Sequence, residues 1–413
     1  MAGLRLFGPR GRLRTLSTLA VLSIILFFRG LSLLESARNT RPENPYDEFP
    51  HYRHFSKYRD DPDTKYEEKL SRAMRDIEQK ELSLHGNERP PDIIWQMLLK
   101  DTPAMHKTTS QLRGDDSLQM EQQNSEWDYK LVNGQWAEEF VTITLSTIPG
   151  LAKLYHSYPH YVHRSDLLRY LILWYYGGYY ADIDARPVQP IKKCPKMENS
   201  LFGSEDPDVS LVLGIEIDEP FASAEEMHYW HWVRRYGFLQ YSIYAPRRFS
   251  PLLREVIVRV LSHTKRHIEE SSILLGPQYN ELTTLEITGP GVFTDAILDV
   301  LSDSLPASHP LVTQSVKADT DIGDLVAPGS NDVQNRVSWA PFHHLQDTLC
   351  VKSSEAKPEK DFGGLCVLPV NVWANGQRHS NSESFQSSHA CINHRFGGTW
   401  KLWRQDWKKK ILG

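Results

Sequence analysis

Two aspartates, Asp182 and Asp184, separated only by Ile183, end the apolar run Tyr179-Tyr180-Ala181. On a strand, side chains two apart share a face, so both carboxylates project to one side and Ile183 turns into the core. Like charges this close repel, a divalent cation relieves the repulsion, and hard oxygen ligands favour Mg²⁺ or Mn²⁺. Such a cation can serve as Lewis acid and template, neutralising a diphosphate and stabilising it as a leaving group. An isolated Asp-x-Asp is common in solvated loops, so the setting carries the weight. Here it follows His163-Arg-Ser-Asp166-Leu-Leu-Arg169 and Gly177-Gly178. Asp166 and Arg169, three apart on a helix, can point an acid and a base together at the cleft that the strand end lines. The alternative is a helix-surface ion pair worth little.

The elements that must position these groups follow from residue choice. Ser165 suits an N-cap, Leu167, Leu168, Leu171 and Ile172 form a buried stripe, and the paired glycines stop the helix. Upstream, Pro90-Pro-Asp-Ile-Ile-Trp95-Gln96 reads as a buried first strand. Helical patterns and short apolar strands alternate over 125–131, 136–145, 163–176, 179–183 and 209–217, which predicts an α/β sheet with covering helices. An amphipathic helix is expected over 252–267, and Gly289-Pro-Gly291 opens another over 292–301. Residues 303–365 read as loop-rich.

With 47 Lys+Arg against 52 Asp+Glu, and no basic stripe after the first 14 positions, nucleic acid is excluded as a partner. Eleven Trp and 18 Tyr supply flat rings with a polar edge, suited to sugar faces and bases, although most must serve the core. The four cysteines can make at most two bridges in an oxidising compartment, and Cys350 and Cys366 flank a loop that one bridge could close. No CxxC pair is present, which argues against a thiolate zinc site.

The amino terminus predicts a cytoplasmic basic tail (1–14), a signal-anchor transmembrane helix (15–34, interrupted by Arg29) and a luminal body in type II orientation. A cleaved signal peptide is the alternative, but no small-x-small site follows the apolar run cleanly. Residues 35–89 read as a solvated stem, partly helical over 64–84, and 90–413 as the catalytic domain.

The Ser-Asp-x-x-Arg helix with its Gly-Gly-x-Tyr-x-Asp-x-Asp strand resembles the sugar-binding region containing the DXD motif of glycosyltransferase family 32. Val212-Leu-Gly-Ile-Glu-Ile-Asp218, the stretch from Trp230 to Gln240, Thr288-Gly-Pro-Gly291 and His394-Arg-Phe-Gly-Gly-Thr-Trp400 are similar to fungal initiation-specific α-1,6-mannosyltransferases of the Golgi. The resemblance implies a GT-A type fold, a Rossmann-like sheet with flanking helices. It implies retaining transfer of mannose from GDP-mannose, with Mn²⁺, to an N-linked glycan on a glycoprotein in the Golgi lumen. It also admits a complex with other mannosyltransferases.

Carried over by position, Asp166 and Arg169 contact donor sugar and ribose, Tyr180 and Asp182 belong to the donor site, and Asp184 is the firmer metal ligand beside Asp182. Ile94, Trp95 and Gln96, at the end of the first strand, border the nucleoside, with Trp95 alternatively a core ring. His394 completes the metal shell or is structural. Thr399 and Trp400 reach the donor diphosphate as the C-terminal segment folds back. Asp182, Asp184 and Arg169 carry catalysis. Retention admits a covalent glycosyl-enzyme or front-face attack. Glu205, Asp206, Glu216 and Asp218 face the acceptor or are solvated charges, with Glu216 and Asp218 on one face of a strand. Two rival readings are a mannosyltransferase acting on inositol phosphorylceramide and a catalytically inactive transferase-fold scaffold. No apolar run after Leu34 could span a bilayer, which argues against the first; intact Asp166, Arg169, Asp182 and Asp184 argue against the second.

Overall fold

The structure, a computed structural model, describes residues 57–86, 92–99, 114–202, 208–272, 276–319 and 335–395. The expected anchor over 15–34, Glu205 and Asp206, and the donor-side Thr399 and Trp400 lie outside the described residues. Among those described, no helix is long and apolar enough to cross a membrane.

The predicted first strand is Ile93–Leu98 (β1). It pairs in parallel on both sides, with Asp128–Asn133 (β2) and with Gly178–Ala181 (β3). A strand covered on both faces needs continuous apolar residues rather than alternation, which is why Ile93, Ile94, Trp95 and Met97 are all buried. The remaining strands are Ala185–Pro187 (β4), Leu211–Asp218 (β5), Tyr236–Phe238 (β6), Ser242–Ala245 (β7), Leu349–Val351 (β8), Leu365–Leu368 (β9) and Ile392–His394 (β10). The main sheet has eight strands in the order β2-β1-β3-β7-β5-β9-β8, with β6 on β5. Because β7 runs antiparallel to both β3 and β5, while β5 and β9 are parallel, the sheet is mixed. β4 and β10 form a separate two-stranded ribbon.

The longer helices are Thr64–His85 (α1), Asp115–Gln123 (α2), Tyr161–Tyr176 (α3), Pro251–Glu269 (α4), Glu281–Ile287 (α5) and Pro290–Ser304 (α6). α1 is the helix expected in the stem, but it is not solvated all round. Leu70, Met74 and Glu78 recur every fourth residue and are buried. Glu78 accepts hydrogen bonds from Trp174 Nε1 at 2.9 Å and Arg254 Nη1 at 2.6 Å. Just before α1, the Arg59 guanidinium is paired with Asp299 at 2.5 Å and Asp295 at 3.2 Å on α6. The segment is therefore part of the folded domain, and its many charges are the outer face of a docked helix.

Two local expectations are also corrected. Ser165 is not an N-cap: α3 starts at Tyr161, because His163 in its first turn is buried against Tyr158, Tyr279 and Thr284 and carries the helix N-terminally. Within the stretch read as loop-rich, Pro310–Asp319 is helical.

Candidate active site

α3 ends at two glycines that force the chain straight into β3. Gly177 and Gly178 have φ of 71° and 94°, and a Cβ on Gly178 would lie 2.6 Å from the carbonyl oxygen of Ile93. Trp95 donates its indole N–H to Gly177 O at 2.9 Å and is 5% exposed, packed against Trp136 and Tyr176. The core-ring reading of Trp95 is the one its position supports, with the indole fixing the glycine turn.

β3 stops at Ala181, so the two aspartates stand in a tight turn rather than on the strand. The Ala185 N–H closes it by donating to Asp182 O at 3.0 Å, and the Asp182 N–H donates to Tyr241 O at 2.9 Å. Gln96, fully buried, donates to the same Asp182 carbonyl at 2.9 Å while accepting from the Tyr129 hydroxyl at 2.7 Å. Ile183 is half-buried in the turn instead of entering the core, because strand alternation no longer applies there.

Asp166 and Arg169 are brought together, but not on a surface. Their side chains are 3% and 6% exposed and joined at 2.9 Å, which excludes the solvated ion pair. Arg169 also donates to Gln240 O at 2.8 Å and lies 3.5 Å from Asp182 Oδ1, with its guanidinium 5.0 Å from the Tyr180 ring centroid. The Tyr180 hydroxyl donates to the same Asp182 oxygen. Asp166 accepts from Thr288 Oγ1 at 2.8 Å. Burial pushes the Asp166 carboxyl up to about 6 although Arg169 and Thr288 pull it down, and for Arg169 the cost of burial is outweighed by Asp182, Tyr180 and Asp166, so its pKa is raised. Arg169 thus stands behind Asp182 as a fixed positive charge.

The third group comes from the far end of the chain. β10 pairs antiparallel with β4 so that His394 is opposite Ala185, and the Cys194–Cys391 disulfide closes beside it. His394 stacks on the Tyr241 ring at 4.1 Å and 8°, and its Nε2 lies 3.1 Å from Asp184 Oδ1. Donor atoms of Asp182, Asp184 and His394 all fall within 4.8 Å of one another. Burial opposes a charge on this imidazole, but hydrogen bonding to Asp184 and the fields of Asp184, Asp182 and Glu216 raise its pKa. Two carboxylates and one imidazole fit a divalent ion of intermediate hardness.

Glu216 and Asp218, expected on one face of β5, have different partners. The β5–β6 register shifts between Ile215 and Ile217. Glu216 is pushed up to about 7 by burial, against the pull of His394 and with Asp182 adding to the rise. Asp218 is 3% exposed and bonded to His343 and His344, which rules out a solvated charge. Gln240, Thr288 and Tyr241 hold the site residues yet carry no motif of their own; Gln240 and Thr288 fall within the resembling stretches, which is the only sequence signal for them.

Residues 115–202 match the family model described as "Glycosyltransferase sugar-binding region containing DXD motif". Over 284 residues the chain is 25% identical to an initiation-specific alpha-1,6-mannosyltransferase of Candida albicans, covering 68% of this chain and 65% of that one. An enzyme of the same name from Schizosaccharomyces pombe is 26% identical over 62% of this chain and 51% of its own length. Inositol phosphoceramide mannosyltransferase 3 of S. pombe is 36% identical over a 72-residue stretch, 16% of this chain and 20% of that protein. The chain thus spans about half to two thirds of the length of the initiation-specific relatives. Asp166, Arg169, Asp182 and Asp184 all lie inside the matched segment, so this chain contains a region similar to the sugar-binding region of glycosyltransferases that holds the DXD motif.

Proposed function

We propose that the chain is a retaining, metal-dependent mannosyltransferase that moves mannose from GDP-mannose to a glycan acceptor. The observation that carries this reading is the convergence of Asp182, Asp184 and His394 at one cation cradle, with donor atoms within 4.8 Å. Mn²⁺ held there would supply neutralisation of the diphosphate leaving group. The chain's own residues do the rest. Arg169 holds the Asp182 carboxylate and offsets its charge, Asp166 and Gln240 hold Arg169, and Gln96 fixes the turn from below. A buried, prearranged set of this kind need not reorganise as charge develops on the donor.

The finer reading, α-1,6 transfer to an N-linked glycan by a GT-A fold anchored in the Golgi as a type II protein, draws on the mannosyltransferase relatives. Two disulfides, Cys194–Cys391 and Cys350–Cys366, suit an oxidising secretory compartment. The test is to incubate the purified full chain with Mn²⁺, a panel of sugar nucleotides, and either a core N-glycan or inositol phosphorylceramide. Mannose in an α-1,6 linkage on the N-glycan is expected. Transfer from a different nucleotide sugar, or to the lipid alone, would replace this reading, and unaltered transfer by Asp184→Ala would remove the cation cradle from it.

A further inference from the structure

A second built surface lies at the end of β5, next to the cation cradle. Phe221, three residues past the strand, is 71% exposed, and Tyr229 is 73% exposed. Phe221 is the outer ring of a cluster, 5.7 Å from Trp339 and 6.0 Å from His343, which are 5.2 Å from each other. Trp230 and Trp232 stack at 5.8 Å, with His379 edge-on to both, and the adjacent Ser380 Oγ accepts the Asp218 N–H. Burial lowers the His379 pKa to about 4, so this imidazole is neutral near pH 7.

Asp218 sets the chemistry of His343. Its Oδ1 lies 2.7 Å from His343 Nδ1, and its Oδ2 accepts the His344 N–H at 2.8 Å. In the neutral imidazole, a buried carboxylate on Nδ1 keeps the proton there and leaves Nε2 as an acceptor. Among the described residues nothing hydrogen-bonds Nε2, and the His343 side chain is 22% exposed. Donor atoms of Asp218, His343 and His344 also lie within 4.8 Å, but both Asp218 oxygens are already engaged with the two histidines. The backbone of the surrounding loops is strained as well: His231, His344, Ser380 and Asn381 all have positive φ.

The exposed Phe221 ring beside fixed hydrogen-bonding groups matches a hexopyranose, which offers an apolar C–H face and a rim of hydroxyls. The nearby carboxylates of Asp218 and Glu219 disfavour an anionic headgroup. Glu216 links this surface to the cradle, being two residues before Asp218 on β5 and within the field of Asp182 and His394. We propose that Phe221, Trp339 and His343 form an acceptor-sugar subsite, in which the sugar ring lies on Phe221 and one hydroxyl donates to His343 Nε2, with Asp218 as a positioning residue. This rests on the transferase reading above and names the acceptor side of the same site.

The test measures binding of a mannose oligosaccharide to the full chain by calorimetry, and in parallel binding of GDP with Mn²⁺. Phe221→Ala is expected to weaken oligosaccharide binding at least tenfold, with nucleotide affinity and melting temperature unchanged. His343→Asn, which keeps a donor for Asp218 and removes Nε2, is expected to do the same. Where transfer is measurable, both variants should raise the acceptor KM and leave hydrolysis of the donor by water intact. Unchanged oligosaccharide affinity in both variants overturns the subsite. So does a fall in melting temperature without a change in affinity, since Phe221 would then serve packing and not a sugar. A native chain that binds the oligosaccharide but no GDP would sink the donor reading and leave the subsite standing.

Discussion

At the proposed cation site Asp182 is held from behind: Arg169 and Tyr180 both reach its Oδ1, and Gln96 its carbonyl. Replacing Arg169 by Ala leaves Asp166 and Asp182 as buried or half-buried charges without their partner, and removal of one partner from a buried pair costs about 3–5 kcal/mol. Arg169→Lys keeps the charge but loses the fork, so kcat should fall far more than stability; equal losses in denaturation and rate assays would contradict this. Gly178→Ala has no space at all, with its Cβ 2.6 Å from a carbonyl and φ at 94°. A destabilisation of at least about 1–2 kcal/mol by urea titration is expected from the backbone conformation alone. At this scale the sequence was legible where residue type and spacing coincide, as in Asp166, Arg169, Asp182 and Asp184. Gln96, Gln240 and Thr288 could be noticed but not given their roles, because their partners lie 71 to 122 residues away or across a strand pair.

Elements show the same division. The helical period of α1 was readable, but its docking was not, because Leu70, Met74 and Glu78 are three positions amid a run of charges. Yet these three cover α4 and Trp174, and Arg59 adds an ion pair to α6. A chain beginning at residue 90 should therefore fail to fold, as judged by circular dichroism and recovery in soluble form, whereas one beginning at 51 should fold. Leu70→Ala should cost about 2–5 kcal/mol, the range for an aliphatic side chain removed from a packed core. The mixed order of the sheet was equally hidden: β7 has the residues of any buried strand, and only its insertion between β3 and β5 reverses the local direction.

Across the whole molecule, His163 and His263 are buried and neutral. Burial lowers the pKa of each to about 3, and among the described residues neither ring nitrogen of His263 has a hydrogen bond. The unfolded chain takes up those protons near pH 6.5 while the folded chain resists until about 3, so stability is full above pH 6.5 and declines as pH falls. Each histidine should contribute a loss of about 1.4 kcal/mol per pH unit across that window, seen in urea midpoints from pH 7 to 5. His263→Leu should flatten the slope by one proton. The Cys194–Cys391 bridge acts on a different quantity. It joins positions 197 apart and sets β10 against β4, so dithiothreitol should release His394 and silence transfer before the sheet unfolds; activity that persists until global unfolding would contradict this. During synthesis the aspartates emerge roughly two hundred residues ahead of His394. The newborn chain thus holds an unfinished cluster until β10 returns to β4 and an oxidant seals the bridge beside it, so the site can be complete only after that oxidation.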